Sequence, residues 1–140
     1  MAIEFLQRSD VIEECYEFLL GYAAQGLPSD EGSSAGHQVR EHLERAREAI
    51  NGLSESCKRA IADQRLEPSA NYEAFCTVLE HDARDSEAAI ALVLAQPALS
   101  SQLIDNLNAS SHLRALLTDL FLLGEILRTR TQVTALANEK

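Results

Sequence analysis

Val39, Leu43, Ala46, Ile50, Leu53, Cys57 and Ala60 follow one another at alternating steps of four and three residues, without a slip. Only a helix brings positions at that rhythm onto one side, and about three heptads of it make a long buried seam. Charged residues fill the gaps. Glu41 precedes Arg45 by four, the order that favours an ion pair along a helix. A chain with such a seam must supply other helices to cover it. The apolar residues are mostly Leu, Ala and Ile, with no Trp, while glycine and proline number only six and three. Leu and Ala favour helix, and so few turn formers leave no means of making a many-stranded sheet. The expected fold is all-α: a small helical bundle of four main helices plus one short helix, in a single domain over residues 1–140.

The first helix is expected over 10–25. Asp10 and Glu13 form a capping box, Val11, Ile12, Cys15, Phe18, Leu19 and Tyr22 make one stripe, and Gly26 and Pro28 stop it. The small, acidic stretch SDEGSSAG over 29–36 reads as a mobile loop. The seam keeps its phase across the Asn51-Gly52 turn signal. The second helix is therefore expected to run continuously over 36–66, about 45 Å at ~1.5 Å per residue. A third starts near Ser69 or Asn71, with Tyr72, Phe75, Cys76, Leu79 and Ala83 inward, and Pro97 closes it. Within it, Glu80 to Glu87 holds one apolar residue in eight, so the helix either crosses solvent or breaks near Asp85. A short helix is expected from Ala98 to Leu107, presenting Leu99, Leu103, Ile104 and Leu107.

The final helix, expected over 112–133, is the most apolar. Leu113, Leu116, Leu117, Leu120, Phe121, Leu122, Leu123, Ile126 and Leu127 cover more than one face. A helix apolar most of the way round runs through the middle of a bundle or presents its outer face to another molecule. Beyond it, the tail from about Thr134 is expected to fray.

The formal net charge is −10, and the one stretch near neutrality is 36–66. It sets six basic residues (Arg40, Arg45, Arg47, Lys58, Arg59, Arg65) against five acidic ones (Glu41, Glu44, Glu48, Glu55, Asp63). That is no phosphate cradle, so no nucleic-acid partner is expected. Asp119 and Glu125 interrupt LLTDLFLLGEIL, which excludes a membrane-spanning reading. The N-terminus lacks the pattern of a cleavable signal, and the expected location is cytoplasmic. Cys15, Cys57 and Cys76 are three in number, far apart and not in CxxC spacing, against a disulfide framework or a zinc clip. Each falls on an apolar stripe, where a thiol acts as a small hydrophobe with its pKa pushed away from reactivity.

Carboxylate-bridged metal chemistry in a bundle uses Glu-x-x-His pairs, yet none of the four histidines has Glu three residues before it. Glu13 with Glu17, His37 with Glu41 and His81 with Asp85 stand four apart, on polar faces where solvated surface is the plain reading. There is no glycine-rich phosphate loop, nucleophile elbow or dinucleotide fingerprint. His37, His42, His81 and His112 lack the Lys and small residues that would seat a phosphoryl donor. No cofactor and no catalytic residue are expected. The sequence points to a non-enzymatic protein–protein interaction module, an adaptor, chaperone-like or regulatory bundle. Its expected partner is another protein or a copy of itself, through Leu116, Leu120, Phe121, Leu123 and Leu127. The alternative is a small-molecule- or metal-binding accessory subunit of an enzyme, with His37, Glu41, His81 and Asp85 turned inward.

Overall fold

The computed structural model describes residues 2–138, with side chains described for residues 2–130. Six helices follow one another: α1 (Ala2–Ala24), α2 (Ser34–Ile50), α3 (Leu53–Asp63), α4 (Ser69–Leu94), α5 (Ser101–Ala109) and α6 (Ser111–Asn138). No strand occurs among the described residues. The all-α bundle is as the residue rhythm implies, and α5 is its short helix.

The seam from Val39 to Ala60 is buried along its whole length, but it is carried by two helices rather than one. Asn51 turns into extended backbone at ψ 113, and Gly52 takes φ 90, the left-handed region that glycine enters without a Cβ clash. Arg8 of α1 holds the break open. Its Nη1 donates to the carbonyls of Glu48 (3.1 Å), Ala49 (3.2 Å) and Asn51 (2.7 Å), groups that a continuing helix would bond internally. A cation at a helix C-terminus also meets the negative end of the dipole. Glu4 then joins Arg8 at 3.3 Å to Arg59 of α3 at 2.7 Å.

α1 starts eight residues before the expected position. Phe5, Ser9, Ile12, Cys15, Leu19 and Tyr22 form one buried stripe, so Asp10 and Glu13 lie in mid-helix and make no cap. Asp10 instead meets Arg128 of α6 at 3.5 Å. α4 passes unbroken through Glu80 to Glu87, because its inward positions there are the small Ala83 and Ser86. The Ser86 hydroxyl donates to the His112 carbonyl at 2.9 Å, which fixes the start of α6 against the middle of α4. α6 runs to Asn138, past the expected end at Val133. The fraying expected from about Thr134 falls on residues whose side chains lie outside those described.

α1 and α2 run antiparallel: Arg8 meets the end of α2, while the Phe18 ring stacks on His42 with centroids 4.1 Å apart. α2 and α4 are also antiparallel, with Arg40 at the end of α4 and Arg47 on Glu87 at 3.0 Å. The 29–36 segment is tied at several points. Ser33 caps α2 by accepting from the Gly36 amide at 2.9 Å. Asp30 accepts from Arg40 Nε at 2.7 Å and from the Leu99 amide at 2.7 Å. Arg40 Nη2 then donates to the Gln96 carbonyl at 3.0 Å, at the C-terminus of α4. Gly36 lies directly on the Asp30 carbonyl, where any Cβ would collide with backbone. Near by, Tyr22 Oη donates to the Leu99 carbonyl at 2.6 Å, and Ser101 Oγ donates to the Tyr22 carbonyl at 2.7 Å.

Candidate functional site

α6 divides its apolar residues between two sides. Leu113, Leu116, Leu117, Leu120, Leu123 and Leu127 are buried against the rest of the bundle. Phe121, Leu122 and Ile126 point outward with relative exposures of 57%, 51% and 38%. Of the residues expected to form an interaction surface, Leu116, Leu120, Leu123 and Leu127 therefore belong to the chain's own core, and Phe121 alone is at the surface. The inward set repeats at three- and four-residue steps, and continuing that rhythm leaves Phe121, Leu122 and Ile126 out. Leu122 and Ile126, not among the expected surface residues, were legible by that subtraction.

Arg114, Thr118, Phe121 and Glu125 are all exposed along the outer side of α6. The Arg114 guanidinium makes no hydrogen bond or ion pair among the described residues. Among the described residues Glu125 meets only the Thr129 hydroxyl, at 3.5 Å. This is a mixed face, apolar at its centre and oppositely charged at its two ends.

Two clusters inside the bundle bring ionisable groups of separate helices together. Asp119 of α6 is 5% exposed. Burial first, and then the neighbouring Asp82 carboxyl of α4, push its pKa up to about 8. At neutral pH Asp119 is thus a neutral acid that donates its proton toward Asp82, while its Oδ2 has no hydrogen-bond partner. The second cluster joins α3 and α4. The Cys57 thiol donates to Cys76, and this bond outweighs burial to bring Cys76 down to about 7, while bond and burial together push Cys57 up. All three cysteines are free and buried. Burial pushes Cys15 up to about 12, as an apolar stripe implies, but Cys76 moves the other way because a second thiol faces it. Neither pairing was legible, since Asp82 with Asp119 and Cys57 with Cys76 meet only when separate helices pack.

The histidine–carboxylate pairs stay on the surface. His37 Nε2 lies 3.3 Å from Glu41 on α2, and His81 Nδ1 lies 3.8 Å from Asp85 on α4, each pair well exposed. They do not turn inward and do not converge. Among the described residues no group of three or more His, Cys, Asp or Glu is placed to hold a metal ion. A groove of about 660 Å³ between α2, α3 and α4 is lined by Glu44, Arg47, Glu48, Glu55, Glu80, Arg84 and Glu87. Of its five carboxylates, Glu87 and Glu44 share Arg47, at 3.0 and 3.8 Å, and Glu80 meets Lys58 and Arg84, each at 3.8 Å. No helix among the described residues is long and apolar enough to cross a membrane. The described residues thus form a six-helix α-bundle in which the outer side of α6 is a mixed face. No protein-family model, curated protein or solved structure matches it.

Proposed function

We propose that the chain is a non-enzymatic interaction module, an adaptor or regulatory helical bundle that works by offering helix surface and associates with a second copy of itself. The observation that supports this reading is the outward pair Phe121 and Leu122, more than half exposed at the middle of a helix whose other side is buried in the core. Solvent-facing aromatics next to aliphatics are costly in water and gain free energy when covered, roughly 25 cal/mol per Å². A second copy brings the same apolar centre and the complementary charges at its ends.

The test is size-exclusion chromatography with light scattering over a wide concentration range. The expected result is a mass rising toward twice that of the chain. Phe121→Glu should return it to the single-chain mass with unchanged helicity and melting temperature. A strict monomer at every concentration would remove the reading.

A further inference from the structure

Resting on the self-association just proposed, we infer that two chains pair through α6 in antiparallel register. Phe121 of each chain lies against Thr118 of the other, and Arg114 of each against Glu125 of the other. The order of residues on the exposed stripe sets this register. Arg114, Thr118, Phe121 and Glu125 are separated by four, three and four residues, so they share one side of the helix. That spacing reads the same in both directions. A two-fold axis between positions 119 and 120 therefore brings every position of one stripe onto a position of the other. Such an isologous contact closes on itself and stops at a dimer.

Charge selects the direction. A parallel pairing would set Arg114 against Arg114 and Glu125 against Glu125. The antiparallel pairing replaces both repulsions with two Arg114–Glu125 attractions, one at each end of the apolar centre. Among the described residues Arg114 has no carboxylate partner and Glu125 no basic one, its contact being the Thr129 hydroxyl at 3.5 Å, so both can pair outward. Leu122 adjoins the stripe and widens its apolar middle. One helix pair makes a small contact, below roughly 1,200 Å², so the dimer belongs to the weak, concentration-dependent class. Its flanking ion pairs make it salt-sensitive.

Sedimentation equilibrium of the full chain at low and high salt tests the register. Arg114→Glu and Glu125→Arg each put like charges across both ends, and each should weaken the dimer about tenfold at low salt. The double variant should recover the parent's affinity. An equimolar mixture of the two single variants should form a heterodimer tighter than either homodimer. One chain of that pair carries a carboxylate at both end positions and the other a guanidinium at both, so each end is again an ion pair. Circular dichroism melts matching the parent would show that the variants are folded. A dimeric parent whose single variants dimerise equally well, and whose mixture gains nothing, would overturn the register and leave self-association standing. A parent monomeric throughout would overturn both.

Discussion

Replacing Asp119 with Asn should make the protein more stable at neutral pH, and by an amount that depends on pH in a defined way. Asp119 is buried beside Asp82, and its folded-state pKa is raised to about 8, against about 3.9 in an unfolded chain. Between those values the folded state holds a proton that the unfolded state has released. Stability therefore falls as pH rises through that window, at up to about 1.4 kcal/mol per pH unit. The contribution is fully present below about pH 4 and gone above about pH 8. Asn carries a donor in place of the acid proton and does not titrate. Relative to the parent, Asp119→Asn should gain about 2.7 kcal/mol between pH 5 and pH 7, or about 8 °C in Tm for a domain of this size. Urea denaturation of both proteins at several pH values measures it, and taking the difference cancels other titrating groups. His42, for one, is pushed down chiefly by burial and then by Arg45, and so acts in the opposite sense. A parent–variant difference that stays flat from pH 5 to pH 7 would mean that Asp119 is ionised at neutrality, and the account of its environment would be wrong.

Arg40→Ala should cost about 3 kcal/mol, because it strands the nearly buried Asp30 carboxylate and uncaps the end of α4; chemical denaturation reads the loss, and a change under about 1 kcal/mol would show the clamp to be unimportant. Burial opposes ionisation of Asp30, but hydrogen bonds from Arg40 and the Leu99 amide outweigh it and hold its pKa below the usual value. Its stabilisation is therefore present above about pH 4 and lost as pH falls below it, and Arg40→Ala should melt with a weaker acid dependence than the parent. Leu120→Asp, at a fully buried position, should cost several kcal/mol or abolish folding; an unchanged melting point would contradict the placement of α6. Cys76 ionises easily but is 4% exposed, so a disulfide reagent at mildly alkaline pH should label no cysteine within minutes in the native protein and all three after unfolding. Rapid release of one equivalent from folded protein would put the Cys76 sulfur at the surface.

The seam of Val39 to Ala60 and the inward leucines of α6 were legible because helix burial is periodic, and periodicity survives in a bare sequence. What it hid were features made by residues far apart. Asn51-Gly52 looked passable to a helix because the seam kept phase, whereas the break depends on Arg8, forty or more positions away. The start of α1 was misplaced because Asp10 and Glu13 imitate a cap, and an Asp in mid-helix facing Arg128 carries the same letters. At α6 the number of apolar residues suggested a surface, and placing Leu116, Leu120, Leu123 and Leu127 on it overlooked the rhythm that sets Phe121 and Leu122 apart from them. Asp119 is the sharpest case: a carboxyl among leucines reads as solvent-facing until a second carboxyl on another helix is found beside it.

The two arginine clamps make the ends of α2 and α4 belong to the whole chain rather than to their own segments. Arg8 terminates a helix that residues 34–63 alone have reason to continue, so a fragment lacking α1 should read straight through Asn51 as one longer rod. Where such stops are imposed from a distance, helices cannot melt one at a time without releasing their neighbours' carbonyls. Heat should therefore take the bundle apart in a single step.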